Sequence, residues 1–227
     1  MISVIVPAFN AERFLRQAID SVLAQDWPEM EVLVVDNCSV DGSAAIAASY
    51  GAPVRCLRSD PPGQPPTTNT GVRHARGEWL AFIDADDLWT RGKLSRQFRE
   101  FEEHPELEAV FGHAVNFSGP APTAEDRAAA EMPAPLPGTM LIRREAFHRV
   151  GYYDENFTIG SIMDWYLRAR EASLRHRILP DVFLYRRVHE DNLGAREKDR
   201  RVDYVHILKA ALDRRRKGGE SGEEAPK

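Results

Sequence analysis

Short apolar runs and amphipathic stretches alternate along the first sixty residues of the chain. Uninterrupted apolar runs of this length are typical of strands that are buried on both faces, as in parallel sheets. The pattern predicts strands over residues 2–6, 31–35 and 54–58, and helices over residues 14–23 and 43–50. A β-α-β-α-β order with short loops predicts an α/β protein built on a doubly wound, mostly parallel sheet.

The rest of the chain is less regular. Four prolines and a glycine mark residues 60–66 as a loop. Proline and alanine without apolar periodicity mark 118–137 as a mobile loop, in which residues 124–131 could form a short helix. Between them the pattern predicts a helix over 70–75, an acidic strand from 79, a helix over 93–103 and a strand over 108–117. After them it predicts a strand over 138–142, helices over 143–150 and 162–172, a broken strand over 177–187 and a last helix over 197–216. We divide the chain into a first half of residues 1–117, the loop of 118–137, a second half of 138–217 and a disordered tail of 218–227.

The last predicted helix carries an apolar stripe and a basic end. The stripe consists of Val202, Val205, Leu208 and Leu212, and the basic end of Arg214, Arg215, Arg216 and Lys217. The stripe favours a helix that packs on its own domain and leaves its basic end in solvent. Contact of the basic end with anionic lipid is the alternative, so peripheral membrane contact stays open.

Composition narrows the class of protein. Apolar residues make up 43% of the 227 residues, and the net charge of −5 argues against a protein that binds nucleic acid. No apolar run approaches the roughly 20 residues of a transmembrane segment, and the N-terminus lacks the basic lead of a signal peptide. The two cysteines, Cys38 and Cys56, do not have the spacing of a zinc site. These features predict a cytoplasmic protein.

An apolar run that breaks into acid supplies the candidate chemistry. Residues 79–83 resemble a buried strand, and Asp84, Asp86 and Asp87 follow directly. Carboxylates are rarely buried unless paired, and open α/β sheets bind ligands at the carboxyl ends of their strands. On an extended strand Asp84 and Asp86 would share a face and Asp87 would not. Two oxygen donors on one face suit Mg²⁺ or Mn²⁺, and an acidic turn that caps the next helix is the alternative.

A second predicted strand also runs into a carboxylate, that of Asp36. A carboxylate at a strand tip can accept hydrogen bonds from a ribose diol or from a base N–H. Neither G-x-G-x-x-G nor G-x-x-x-x-G-K-[ST] occurs at the expected place, so the usual dinucleotide and P-loop interpretations lose their support. The two strand-end acids favour a nucleotide whose phosphates are held by a metal ion.

Five stretches, in order, resemble the family 2 glycosyltransferases of the GT-A fold. They are Val4-Ile5-Val6-Pro7-Ala8-Phe9-Asn10, Val34-Val35-Asp36-Asn37-Cys38-Ser39-Val40-Asp41-Gly42-Ser43, Asn69-Thr70-Gly71 with Arg76-Gly77-Glu78-Trp79, Asp84-Ala85-Asp86-Asp87 and, more loosely, Tyr185-Arg186-Arg187-Val188-His189. The similarity spans residues 2–100 and continues loosely through 138–154. It implies a GT-A sheet whose first half binds a nucleotide sugar, fused to a smaller mixed half that binds the acceptor.

The resemblance also implies roles for individual residues. The implied nucleotide-sugar-binding residues are Pro7, Ala8, Phe9, Glu12, Asp36, Asp84 and Ala85. Asp36 would accept a hydrogen bond from uracil N3–H, and Asp84 would meet the ribose. Asp86 would bind the Mn²⁺ or Mg²⁺ that bridges the diphosphate. His189 matches a histidine that completes the metal shell in some relatives, and a structural histidine is the alternative.

The implied reaction is inverting transfer of a sugar from a nucleotide-diphosphate sugar, UDP-linked in our prediction, to an acceptor hydroxyl. It requires a general base, which relatives supply from a Glu-Asp pair that falls here on Ser161-Ile162. Asp164 is the acid that remains nearby, either as a displaced catalytic base or as an acid at a helix N-terminus. The acceptor would be a saccharide, a lipid-linked intermediate or a peptide side chain.

Two other functions compete with this prediction. The missing Glu-Asp pair favours a catalytically impaired protein that binds sugar nucleotides without transferring the sugar. A sugar nucleotidyltransferase would share the architecture, but it needs a glycine-rich basic loop after the first strand, and this chain has none there. Asn37 and Thr68 mark further departures, because relatives often carry Asp and Arg at these positions.

Overall fold

The strands of the first half form where the apolar runs predict them. The computed structural model describes residues 1–128, 132–157, 159–190, 192 and 202–220. The strands are β1 (Ile2–Ala8), β2 (Met30–Asp36), β3 (Val54–Arg58), β4 (Trp79–Phe82), β5 (Leu88–Trp89), β6 (Ala109–Phe117), β7 (Met132–Ala134), β8 (Leu141–Arg143) and β9 (His176–Arg187). The helices are α1 (Leu15–Leu23), α2 (Ser43–Ser49), α3 (Gln64–His74), α4 (Lys93–Glu103), α5 (Ala124–Ala128), α6 (Arg144–Val150), α7 (Ser161–Glu171) and α8 (Val202–Glu220), with a 3-10 turn at Pro137–Thr139.

The strands pair into one sheet in the order β3-β2-β1-β4-β8-β6-β9-β5, with β7 beside β6. The first four strands in this order run parallel. β8 is antiparallel to both β4 and β6, and β9 is parallel to β6. The predicted α/β class is therefore confirmed, with β3, β2, β1 and β4 parallel and the rest of the sheet mixed.

Alternation along the strands builds a core on both faces of the sheet. In β1, Val4 and Val6 belong to one apolar cluster and Ile5 belongs to the other. Helices α1, α2 and α4 cover the first cluster, and α3, α6 and α7 cover the second. Because helices cover both faces, the carboxyl edge of the parallel strands is left for loops and ligands.

Helix α3 begins six residues before its predicted start. The loop prediction is wrong at residues 64–66, where Gln64, Pro65 and Pro66 form the first turn of the helix. Proline fits this turn because the first N–H groups of a helix have no intrahelical partner.

The segment 118–137 contains helix α5, strand β7 and the start of the 3-10 turn. Strand β7 pairs antiparallel with β6 at three positions. Residues 129–131 lie outside the described part of the chain, and the mobility of this segment stays a prediction.

The last helix exposes the stripe that the pattern places inside. Val205, Leu208 and Leu212 are exposed, whereas Ile207 and Ala211 are buried. The helix does pack on its own domain, but it meets its neighbours through a different face, on which Ile207 lies against Gly160. The helix continues to Glu220, into the predicted tail. The predicted start at residue 197, the side chain of Val202 and residues 221–227 lie outside the described part.

Across the residues that the structure describes, no helix combines the length and the apolar character that crossing a bilayer requires.

Candidate active site

Two acidic positions lie along the carboxyl edge of the parallel strands. Asp36 is the last residue of β2, and Asp84 follows β4 by two residues. Strand β1 separates β2 from β4 in the sheet. The two strand tips are therefore about 10 Å apart, a span that a nucleoside can bridge.

The acids after β4 are gathered by a turn rather than by an extended strand. The Asp87 N–H donates to the Asp84 carbonyl oxygen at 3.1 Å, which closes a four-residue turn. Carboxylate oxygens of Asp84, Asp86 and Asp87 all lie within 4.8 Å of one another. The prediction that Asp87 faces away is wrong, because the turn brings its side chain back to the other two. We call residues 84–87 the acidic turn.

The three carboxyls of the acidic turn differ in their surroundings. Asp84 is exposed, Asp86 is half-buried and Asp87 is buried. Desolvation of the carboxyl group by the surrounding protein, followed by repulsion from Asp86, raises the pKa of Asp84 to about 6. Burial, followed by repulsion from Asp84 and Asp86, also holds the pKa of Asp87 well above its usual range. Such a cluster carries repulsion that a bound cation would relieve.

His189 and Asn192 meet the acidic turn at Asp86. The Nε2 of His189 lies 2.9 Å from Asp86 Oδ2, and the Asn192 amide donates to the same oxygen at 3.2 Å. The buried Nδ1 of His189 has no hydrogen-bond partner among the described residues. The structure thus brings together the two predicted metal ligands. Asn192 was not predicted, and no motif pointed to it.

Arg187 holds the acidic turn from beneath and was not predicted to have a role. Its side chain is buried, and its guanidinium lies 4.4 Å from the ring centroids of both Phe14 and Phe117. Its Nε donates to the Asp86 carbonyl at 2.7 Å, and its backbone N–H donates to Asp87 Oδ1 at 2.8 Å. Its place two residues before His189 was the only sequence signal.

Asp36 presents a free acceptor at the tip of β2. Its side chain is 92% buried, since the residue is 8% exposed. Oδ2 accepts a hydrogen bond from the Ser39 N–H at 3.3 Å, and Oδ1 has no partner among the described residues. Buried polar atoms are normally satisfied, so an orphaned carboxylate oxygen points to a donor that a ligand brings.

The segment after β1 contributes backbone and carboxylate contacts. Pro7 lines the pocket described next, Ala8 is buried and Phe9 is exposed. Glu12 holds the loop after β2, because its Oε2 accepts from the Gly42 N–H at 2.8 Å. Ala85 is buried inside the acidic turn. Contacts of these residues with a nucleotide sugar stay predictions.

A small pocket beside the acidic turn joins the two halves of the chain. Its lining residues are Pro7, Gln64, Pro65, Thr68, Phe82, Asp84, Pro137, Tyr153, Ser161 and Ile162. The Asn69 side chain fixes the backbone of Tyr153 with two hydrogen bonds, of 2.9 and 3.0 Å. The buried Tyr153 hydroxyl has no partner among the described residues. Burial, followed by the Asp84 carboxylate, raises the pKa of Tyr153 well above its ordinary value of 10, so this hydroxyl stays protonated.

Residues 3–163 match the model of the family described as Glycosyl transferase family 2. The chain belongs to this family. Its relatives include an uncharacterized glycosyltransferase of Rickettsia typhi, 25% identical over 209 residues that cover 84% of this chain and 64% of that protein. The poly(ribitol-phosphate) β-N-acetylglucosaminyltransferase TarS of Staphylococcus aureus is 34% identical over 110 residues, 45% of this chain and 19% of TarS.

Solved structures confirm the GT-A type of fold for this family 2 member. Residues 1–349 of S. aureus TarS in complex with UDP superpose with a TM-score of 0.74 at 21% identity, covering 92% of this chain and 64% of that one. The mannosyltransferase PcManGT of Pyrobaculum calidifontis, in complex with GDP-Man and Mn²⁺, gives 0.69 at 24% identity, covering 93% and 64%. At these identities the likeness shows the fold alone, and the chain spans less than two thirds of each of these solved chains and 38% of a longer solved chain of TarS.

The predicted general base lies outside the pocket of this family 2 protein. Asp164 is 2% exposed, accepts a hydrogen bond from Arg168 Nε at 2.8 Å and lies 3.4 Å from Arg214 Nη1. A carboxylate held by two guanidinium groups would have to leave both of them to reach an acceptor hydroxyl. Ser161 and Ile162, where the resemblance places the Glu-Asp pair, do line the pocket. The geometry gives the assignment of Asp164 as the base no support.

Proposed function

We propose that this chain transfers a sugar from a nucleotide-diphosphate sugar, UDP-linked, with a divalent cation at the acidic turn. One observation carries the proposal, namely three carboxylates within 4.8 Å at the carboxyl edge of a parallel sheet. The sugar nucleotides in the related structures support it. TarS has been solved with UDP and with UDP-GlcNAc, and PcManGT with GDP-Man and Mn²⁺.

The base of the nucleotide would be recognised at Asp36. Its free Oδ1 is an acceptor in a buried place, which suits a ring N–H such as uracil N3–H. Its Oδ2 already serves Ser39, so one oxygen remains for the ligand. A base edge with a single N–H therefore fits better than an edge with two adjacent donors.

Asp86 and His189 would hold the cation, and Asp84 would meet the ribose. The Asp86 carboxylate oxygen and the His189 imidazole nitrogen already lie 2.9 Å apart. An oxygen and a nitrogen ligand at this spacing fit Mn²⁺ or Mg²⁺. When bound, the cation would stabilise the negative charge that develops on the departing diphosphate. Arg187 would keep the Asp86 backbone in place from below.

A second candidate is a protein that binds sugar nucleotides without transferring the sugar. One observation favours it. Among the described residues, Asp84 is the only carboxylate that lines the pocket, and Asp164 is withdrawn into ion pairs. The neutral Tyr153 hydroxyl cannot take a proton from an acceptor in the way a general base does.

Nucleotide binding by calorimetry tests the proposal, with UDP, UDP-GlcNAc and GDP-mannose in the presence of Mn²⁺. Asp36→Asn should weaken UDP binding by roughly 10- to 100-fold, because a charge-assisted hydrogen bond is lost, and should leave Mn²⁺ affinity unchanged. Asp86→Ala and a chelator should each remove the Mn²⁺-dependent part of the binding. Asp26→Asn, which changes an exposed acid away from the site, is the matched control.

Two outcomes separate the candidates. Wild-type protein that binds none of the three nucleotides, with or without Mn²⁺, would overturn both. Binding that depends on Asp36 and Asp86, without sugar hydrolysis or transfer across a broad acceptor panel, would select the second candidate.

A further inference from the structure

Helix α8 turns an apolar stripe toward solvent. Val205 is 63% exposed, Leu208 is 52% exposed and Leu212 is 54% exposed. The spacing of three and four residues places these side chains on one face of the helix. A second apolar face lies to one side of the stripe, and its residues Ile207 and Ala211 are buried against the protein. A surface helix normally presents polar residues to water, so an exposed stripe of this kind indicates a further contact.

Basic side chains border this stripe. Lys209 lies four residues after Val205, and Arg216 lies four residues after Leu212, so each is next to the stripe, and both are exposed. Asp213, the exposed acid among the described side chains of this helix, falls further around the helix from the stripe. Helix α8 contains five basic and three acidic residues, although the whole chain has a net charge of −5. The stripe is thus the apolar part of a locally positive surface on an acidic protein.

We propose that this face of α8 docks on a membrane surface that contains anionic lipids. Apolar side chains bordered by Lys and Arg are the signature of a helix that lies in the plane of the interface. Tyr204, 41% exposed at the N-terminal end of the stripe, is an aromatic residue of the type that sits at the headgroup level. A symmetric contact with a second copy would bring Lys209 and Arg216 toward the same basic residues, so the charges favour lipid over a dimer.

The same helix touches the edge of the pocket. Ile207 and Tyr204 lie against Gly160, and the Ile159 N–H donates to Asp203 Oδ2 at 3.3 Å. Gly160 directly precedes Ser161, which lines the pocket. Docking through α8 would therefore hold this side of the pocket near the bilayer. The proposal does not depend on the proposed activity and can fail or succeed without it.

Vesicle sedimentation of the full chain tests the proposal. Vesicles of phosphatidylcholine alone are compared with vesicles in which about a third of the lipid is phosphatidylglycerol. We expect binding to the anionic vesicles that weakens as salt is raised. Leu208→Gln with Leu212→Gln should reduce it by about tenfold or more, because two exposed leucine side chains are lost from the contact with lipid. Lys209→Glu with Arg216→Glu should reduce it by a similar factor.

Val40→Gln is the matched control, since Val40 is an apolar side chain outside the stripe that is 91% exposed. All these positions are exposed, so thermal unfolding of the variants should match that of the wild type. A wild-type protein that stays in the supernatant with anionic vesicles would overturn the proposal. So would equal binding to both vesicle types, or a dimer in light scattering that the leucine variants dissolve.

Discussion

Arg187 connects the acidic turn to two other parts of the protein, helix α1 and the segment that follows β6. Its guanidinium reaches the Asp86 carbonyl, the Gly119 carbonyl and the Gln17 side chain, and its backbone N–H reaches Asp87. The rings of Phe14 and Phe117 flank the guanidinium, so stacking as well as hydrogen bonds holds this charged group in a low-dielectric environment. The shape of the acidic turn therefore depends on a residue that itself contacts no ligand in the proposed site.

Replacing Arg187 should disturb the acidic turn more than removing a nearby charge. Arg187→Met removes three part-buried hydrogen bonds and the buried guanidinium between two rings. We expect a loss of about 2–4 kcal/mol in unfolding free energy and at least tenfold weaker Mn²⁺ binding. Arg187→Lys keeps the charge but not the fork of donors, so both losses should be intermediate. Denaturant unfolding and Mn²⁺ titration by electron paramagnetic resonance measure the two effects.

Arg186→Met is the matched control for Arg187, because it removes an exposed positive charge from the adjacent position. It should change unfolding little and Mn²⁺ affinity by less than the Arg187 variants. Wild-type Mn²⁺ affinity in a folded Arg187→Met protein would show that the acidic turn keeps its shape without this residue.

At the scale of elements, prolines limited the prediction from sequence. The prolines at 65 and 66 indicated a loop, although they satisfy the first turn of α3. Pro180 indicated a broken strand, yet β9 is continuous. Pro180 lies where the register of β9 with β6 is interrupted, between Ile178 and Val182, so no backbone N–H is required at this position. The sequence shows where each proline lies. Whether a backbone N–H is needed at that position depends on partners far along the chain.

Helix α3 approaches the sheet closely at Gly71. A Cβ built on Gly71 would lie 2.5 Å from Ile5 Cγ2 and 3.2 Å from Val35 Cγ2, both in the buried core between α3 and the sheet. Gly71→Ala should therefore destabilise the protein by about 1–3 kcal/mol, although alanine is the better helix former by about 1 kcal/mol. Chemical denaturation measures the change, and His74→Ala on the exposed side of the same helix should be nearly neutral. A Gly71→Ala protein as stable as the wild type would mean that α3 can move away from β1 at little cost.

At the scale of the whole molecule, local patterns predicted the first half better than the second. Apolar runs and helical spacing locate β1 to β3 with their helices, since each signal lies within the element itself. The sequence predicts that part of the candidate site that consists of residues close together in the chain, such as the acidic turn. Asp164 illustrates the opposite case, because one of its two arginine partners, Arg214, lies fifty residues later in the chain. The exposure of the α8 stripe was not predicted for the same reason, since periodicity cannot tell which apolar face of a helix a neighbour will cover.

Glu108, in the first half, joins two parts of the second half and gives the molecule a stability that depends on pH. Its carboxylate accepts from Arg149 at 2.7 and 2.9 Å and from the Arg175 N–H at 3.0 Å. Burial alone would raise the pKa of Glu108, but the hydrogen bonds from Arg149 and Arg175 outweigh it and lower the pKa from 4.5 to about 2. The contacts therefore favour the charged form in the folded protein.

Because the folded pKa lies below the unfolded value, the stabilisation from Glu108 is fully present above about pH 5 and is lost as the pH falls toward 2. Glu108→Gln should cost about 2 kcal/mol at neutral pH, discounted for the partial exposure of Arg149. The difference between wild type and variant in urea unfolding should shrink steadily between pH 5 and pH 2. Glu106→Gln, at an exposed acid two residues earlier, should show neither the cost nor the pH dependence. A difference that stays constant over this range would mean that Glu108 acts through its shape rather than its charge, and that the second half is not joined through this carboxylate.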